Sequence, residues 1–296
     1  IEGFKDAIFS VDSVKKSPLI KKPSAPFTTS TMQQEASRKL GFNVSRTMQT
    51  AQKLYEAGHI TYMRTDSVTL SETALNSIHS TISSKYGSEY SQRRSFSNKS
   101  RNAQQAHEAV RPTNFDVNIS NLDSDQSNLY DLIWRRTLAS QMSDAKVDKT
   151  TVKIVSNNHD GFFQSVGEVI KFDGFLRLYR ESKDNQKNDE SENTVLPNIF
   201  EGDIVEKENV LVTQFFTKPP FRFTEASLVK KLEELGIGRP STYAPTITTV
   251  MNRKYVFKGL NNAQSRDIIE YTIDTEVNKT VKSEKYGSNK GKLVPS

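Results

Sequence analysis

The 296-residue chain has no cysteine and only four histidines. Without cysteine there is no disulfide, no thiolate zinc site and no cysteine nucleophile; the composition fits a reducing compartment, and a cytoplasmic location is the expectation. Long apolar runs are also missing. None approaches the roughly 20 residues that a membrane-spanning helix needs, so no membrane partner is expected. No secretory leader is expected, and the sequence does not open on a methionine. The opening IEGFKDAIFSVD and the closing KGKLVPS both read as cuts from a longer polypeptide.

What is present sets narrower bounds. Hydrophobic residues make up 34% and charged residues 26%, and sixteen Phe with ten Tyr argue against wholesale disorder. The length allows two or three compact units. A net charge of +6 favours an anionic partner, through the clustering of the charge more than through its size.

KKSPLIKKPSAP (15–26) reads as a Pro- and Lys-rich connector with a boundary near residue 22. Thr28 to Ser30 then offer N-caps to a helix through MQQEASRKLGF, closed by Gly41. SRTMQTAQKLYEAGHI repeats the design with Gly58 as its stop, and LSETALNSIHSTISSKYG (70–87) follows with Ser71 as cap. SQRRSFSNKSRNAQQ (91–105) is polar and basic and reads as a mobile loop. LDSDQ (122–126) reads as a cap or turn, and NLYDLIWRRTLASQM (128–142) as a helix with one broad apolar face. From about 149 the pattern alternates in β fashion through KTTVKIVS, FFQSVGEVIKF and GDIVEKENVLVTQFF. Between these lies ESKDNQKNDESENT (181–194), read as a disordered excursion. After 221 helical signals return. Thr224 caps EASLVKKLEELG with Gly236 at its end, IGRPS turns, and Ser241 caps TYAPTITTVMNRKYV with Pro245 in the first turn.

Three stretches carry chemistry. HITYMRTDS (59–67) sets Tyr62 two residues from Arg64, with Thr65, Asp66 and Ser67 behind, on an irregular segment between helices. An unperturbed phenol is protonated at neutral pH, since its pKa is about 10. A nearby guanidinium favours the phenolate and can also hold a phosphate oxygen. A tyrosine nucleophile facing a phosphodiester would need both. QQAHEAVRPT (104–113) sets His107 and Arg111 four apart, one helical face up to the point where Pro112 forces the backbone out. Taken alone it reads as a surface His beside a surface Arg. GIGRPSTYA (236–244) puts Arg239 in a Gly-rich turn at a helix N-terminus, a place that suits phosphate, with the Ser241 hydroxyl and the Tyr243 ring available to a strand. A capped interhelical turn would explain Gly236 and Ser241 but not Arg239.

Together with APFTTSTMQQEASRKLGF, YDLIWRRTLASQM and KPPFRFTEASLVKKLEELGIGRPSTYAPTI, these stretches resemble the type IA DNA topoisomerases, most closely their bacterial topoisomerase I branch. The resemblance runs from about Pro23 to Tyr255, and Met63 in YMRTDS matches that branch. It implies that Tyr62 attacks a single-strand phosphodiester and keeps the 5′ phosphate, that Arg64 stabilises phosphate charge, and that His107 and Arg111 position the scissile region. Arg239, Ser241, Thr242, Tyr243, Thr65 and Asp66 are implied contacts to single-stranded DNA. It also implies an α+β multidomain fold. A helical domain at 23–148 would carry the tyrosine, inserted into a β-rich arch at 1–22 and 149–220, with part of a helical base domain at 221–296. The partners implied are single-stranded and negatively supercoiled DNA and the rest of the polypeptide. Mg2+ would belong to a Toprim domain whose acidic cluster has no counterpart here, so no metal site is expected in this chain.

Two other readings stand beside this one. A tyrosine recombinase also combines Arg, His and Tyr, but with HxxR spacing and the Tyr last, whereas here the spacing is HxxxR and Tyr62 comes first. The other is a nucleic-acid-binding module without catalysis.

Overall fold

The computed structural model describes residues 1–97, 107–116, 121–182 and 196–296. Most of the loop expected at 91–105 and nearly all of the excursion expected at 181–194 lie outside the described residues. The architecture is α+β, with helices and antiparallel sheets. No described helix is long and apolar enough to cross a membrane.

Four helices build one body: α1 (Thr29–Leu40), α2 (Val44–Glu56), α3 (Glu72–Tyr86) and α4 (Ser124–Ser140). Their ends follow local side-chain chemistry. Thr28 caps α1 in a reciprocal pair with Thr31, Asn43 caps α2, Ser71 caps α3, and Asp123 caps α4 in a reciprocal pair with Gln126. Gly41 ends α1 at φ 68°, a left-handed conformation that costs glycine little. Between the helices lies a core of fully buried Phe27, Met32, Leu54, Met63, Ile78 and Ile133.

The four helices are inserted between two neighbouring strands of one sheet. β1 (Phe9–Lys21) pairs antiparallel with β2 (Ala145–Ser156) along its whole length, from Phe9 opposite Ser156 to Lys21 opposite Ala145. β3 (His159–Phe172) and the short β4 (Ile204–Val205) complete the order β3-β2-β1-β4. The expected connector at 15–26 is therefore strand as far as Lys21. Pro18 is tolerated because β4 reaches only Phe9 and Ser10, which leaves the outer edge of β1 open opposite the proline.

The chain after 221 is helical only over α5 (Glu225–Glu234) and α6 (Tyr243–Asn252). Beyond them come β6 (Val256–Lys258), β7 (Gln264–Ile273), β8 (Val277–Tyr286) and β9 (Leu293–Pro295). β7 lies between β8 and β5 (Val210–Thr213), so the stretch 221–296 read as part of a helical domain holds strands as well as helices. The β-branched and aromatic residues of IIEYTI within QSRDIIEYTI suit a pleated ribbon, and Asp274 closes its turn by accepting from the Glu276 N–H at 2.8 Å.

The chain crosses between sheet and helices several times, and two of the crossings are tied together by one arginine. Arg136 of α4 is 3% exposed. It donates to the Ala25 carbonyl at 2.7 Å and to Glu181 at 2.8 Å, while its guanidinium lies over the rings of Phe27 and Tyr179. Ser24 donates to the same Glu181 carboxylate, and Tyr179 donates to Glu35 of α1 at 2.6 Å. Burial alone would raise the Glu181 carboxyl, but Arg136 and Ser24 hold it below the ordinary carboxylate range. Arg136→Met keeps the apolar stem and strands both acceptors. Urea unfolding should show a loss of about 2–3 kcal/mol. The loss stays below that of a fully buried pair because the Glu181 side chain is 48% exposed.

Candidate active site

Residues 59–69 form no helix and join no sheet, yet they are held on both sides. On one side the Thr61 N–H donates to the Arg111 carbonyl at 2.9 Å and the Thr113 N–H to the His59 carbonyl at 3.0 Å, with an isolated bridge between Ile60 and Pro112. On the other side lies the first turn of α1. The Thr29 N–H donates to the Thr65 carbonyl at 2.9 Å. From 62 to 68 burial alternates: Met63, Thr65 and Ser67 point in, and Tyr62, Arg64 and Asp66 point out. This is the period of extended backbone, in which alternate residues share a face. The Y-x-R spacing thus puts phenol and guanidinium side by side, and the buried Met63 anchors the residue between them.

Tyr62 is 45% exposed and leans edge-on against Tyr55, ring centroids 5.2 Å apart. Among the described residues no side chain hydrogen-bonds its hydroxyl. Around it is a cleft of about 470 Å3 lined by Tyr62, Arg64, Thr65, Asp66, His107, Arg239, Pro240 and Ser241. Arg64 donates to the Ser241 carbonyl at 3.2 Å and Arg239 to the Gly238 carbonyl at 3.4 Å. Among the described residues neither guanidinium has a carboxylate partner. Two cations, an exposed histidine and one outward carboxylate, Asp66, therefore meet beside an available phenol, an arrangement that can bind an anion.

Several expected contributors are disposed differently from the sequence reading. His107 and Arg111 are not on a helical face, because 107–113 is extended, with Val110 bridged to Phe27 and Pro112 to Ile60. Pro112 favours that backbone in the residue before it. Arg111 is absent from the cleft lining and pairs with Glu108 at 2.6 Å, its side chain 13% exposed. Burial alone would raise the Glu108 carboxyl, but Arg111 and Ser71 hold it below its ordinary range. Tyr243 offers no stacking face. Its ring is buried with Val44, Val229 and Ile247, and burial first, then Glu233, raises its phenol pKa. Thr242 closes the turn, accepting from the Arg239 N–H at 2.8 Å. Ser241 does not cap α6; Thr242 stands at that position without a side-chain cap bond, and Ser241 contributes its carbonyl to Arg64 instead. Thr65 touches the cleft but is 2% exposed, its hydroxyl accepting from the Ser67 N–H at 3.0 Å.

Sequence reasoning passed over residues that hold the site rather than face it. Glu108 had a local signal, three residues before Arg111. Thr29 and Glu233 had none, since their partners lie 36 and 203 residues away. Among the described residues no group of three or more His, Asp or Glu is disposed to hold a metal ion.

The family model described as DNA topoisomerase matches residues 1–286. This chain belongs to the type IA DNA topoisomerases. It is 50% identical over 260 residues to DNA topoisomerase 1 of Streptomyces coelicolor, covering 84% of this chain and 27% of the relative. It is 47% identical over 253 residues to DNA topoisomerase 1 of Zymomonas mobilis, covering 84% of this chain and 21% of the relative. The solved full-length topoisomerase I of Thermotoga maritima superposes with a TM-score of 0.73 at 36% identity, over 87% of this chain and 43% of that one. The chain thus spans between 21% and 34% of the length of the curated topoisomerases it matches.

In this topoisomerase chain the cleft lies where α1 and α2 meet α5 and α6. Ser30 donates to Glu233 of α5 at 2.7 Å, and the Val44 N–H at the start of α2 donates to Glu225 at 3.1 Å. Burial at this contact, with Asp66 and Glu234 nearby, raises the Glu233 carboxyl above its ordinary 4.5, Ser30 opposing. The folded state therefore holds this proton more tightly than the unfolded chain. Its contribution to stability is fully present below the ordinary carboxylate range and is lost as pH rises through the raised value. Thermal midpoints followed from pH 4 upward should fall less steeply in Glu233→Gln than in the parent; equal slopes would remove Glu233 as the cause.

Proposed function

We propose that this chain carries the nucleophile and strand-binding residues of a topoisomerase that relaxes negatively supercoiled DNA without ATP, in the bacterial cytoplasm. The observation that carries the reading is the cleft in which Tyr62 stands beside Arg64 and Arg239, neither of which has a carboxylate partner among the described residues. The Tyr62 oxygen attacks the phosphorus of a single-strand phosphodiester. A phosphorus–oxygen bond forms to tyrosine, the bond to the 3′ oxygen breaks, and the 5′ phosphate remains on Tyr62. The phenol loses its proton and the departing 3′ oxygen gains one. Strand passage and attack by the 3′ hydroxyl then restore the backbone.

Arg64 and Arg239 face the charge that spreads over the phosphate oxygens, and having no carboxylate partner among the described residues leaves them able to do so. His107 lines the cleft, and its role is to position the scissile region. Arg111 acts through Glu108 and the backbone at 59–61. Thr65, Ser241 and Thr242 shape the strand path, Asp66 flanks it, and Tyr243 supports it from beneath. The family's Mg2+ would belong to its Toprim region; among the described residues no group of three or more His, Asp or Glu is disposed to hold it. The helical domain at 23–148 then carries the tyrosine into and out of contact with 221–252, while the arch joins the two.

In the full-length polypeptide, Tyr62→Phe should abolish the covalent protein–DNA adduct and leave single-strand affinity within about twofold. Adduct surviving in that variant would overturn the assignment. The chain alone should bind single strands without relaxing supercoiled plasmid, because it supplies no evident group for both proton transfers. Binding with no adduct under any reconstitution with the Toprim region would favour a purely binding role. Arg239→Ala should weaken single-strand binding and flatten the slope of log affinity against log salt by about 0.7, one phosphate contact's share. An unchanged slope would assign Arg239 to the turn alone.

A further inference from the structure

The extended segment that presents Tyr62 and Arg64 lacks a strand partner on the side facing α1, and a single residue supplies what such a partner would. Thr29 is the first residue of α1 and is fully buried. It has no capping duty, because Thr28 and Thr31 form the reciprocal cap between them. Its N–H, one of the orphan donors of a helix start, goes to the Thr65 carbonyl. Its hydroxyl donates to the Met63 carbonyl at 2.6 Å, sharing the proton with the Thr65 carbonyl at 3.0 Å, and accepts from the Thr65 N–H at 2.8 Å. In extended backbone the carbonyls of residues 63 and 65 and the N–H of 65 lie on one edge. Thr29 therefore satisfies three consecutive groups of that edge, on both sides of Arg64 and immediately after Tyr62.

We infer that Thr29 is a positioning residue for the cleavage step: its hydroxyl fixes the backbone at 63–65 so that the Tyr62 phenol and the Arg64 guanidinium face the scissile phosphate together. The inference rests on Tyr62 being the nucleophile. Three features point to alignment rather than to general stability. All three side-chain contacts converge on one tripeptide. The tripeptide carries the outward Arg64 and adjoins the outward Tyr62 and Asp66 on either side. The hydroxyl is bound at both its donor and its acceptor side, which fixes orientation as well as distance. Upstream of this stretch the chain is held separately by the contacts of Thr61 with Arg111 and Ala109, so loss of Thr29 would free the 63–65 stretch without releasing the segment from the body.

The test uses the full-length polypeptide and single-turnover cleavage of a single-stranded oligonucleotide. Adduct formation and oligonucleotide affinity are measured separately, with thermal midpoints for each variant. Thr29→Val keeps the shape and removes the hydroxyl. It should slow adduct formation by about tenfold or more, since small misplacements at a reacting centre carry such factors, while affinity stays within about twofold. Thr29→Ser restores the hydroxyl and should recover the rate to within about threefold. A parental rate in Thr29→Val would overturn the inference, as would a Thr29→Ser variant as slow as Thr29→Val. If Thr29→Val does not fold, Thr29→Ser decides alone: a near-parental rate supports the hydroxyl's role and a slow one refutes it. Tyr62→Phe in parallel separates the two layers. Adduct in that variant overturns the nucleophile assignment and this inference with it; its absence leaves the Thr29 series to decide on its own.

Discussion

A short extended segment outside any sheet must find partners for its backbone groups elsewhere, and the architecture around Tyr62 follows from that requirement. Residues 59–69 lie between the start of α1 and the extended stretch at 107–113, each of which satisfies one side. The inward residues Met63, Thr65 and Ser67 sink into the helical body, and the outward ones are thereby aimed at the cleft. Rigid surroundings position a segment that has no regular structure of its own. The run TTST at 28–31 shows how densely the helix start is used. Thr28 and Thr31 cap α1, Thr29 holds the tyrosine segment, and Ser30 reaches across to α5.

Features decided by neighbours in sequence were legible. The caps at Thr28, Ser71, Asp123 and Thr224 follow from one side chain and an N–H three residues away, and they stand where the residue types put them. The alternation after 149 likewise marked β2, β3 and β5. Features decided by distant partners were not. KKSPLIK looks like a linker because its own composition is polar. It becomes strand because Ala145 to Thr151 lie opposite it, more than a hundred residues on. The motif around Tyr62 could be recognised, and its i,i+2 spacing explained once the backbone proved extended. For His107 and Arg111 the same arithmetic assumed a helix, and the backbone is not one. That left Arg111 facing Glu108 rather than the cleft.

The contact of α1 and α2 with α5 and α6 is of a different kind from the helical core. Its apolar centre is small: Val44, Val229, Tyr243 and Ile247. Around it, polar bonds join the two sides singly: Ser30 to Glu233, Val44 to Glu225, Arg64 to Ser241. Such a contact, with little buried apolar area and few bonds, separates at far lower cost than the Phe27–Ile133 core. The cleft with Tyr62 lies along this seam, with residues from both sides in its lining.

The pairing of β1 with β2 has a mechanical consequence. Both strands meet the helical body at the same end, Lys21 opposite Ala145, so the whole insertion hangs from two adjacent backbones. A pull that draws the body away from the sheet runs along both strands in the same direction. Neither strand is peeled from the other, and neither slides past it. Tension that would open an ordinary hairpin one rung at a time is here carried lengthwise by covalent bonds, with the ladder between the strands unstressed. The suspension can transmit a large displacement while its own hydrogen bonds stay in register.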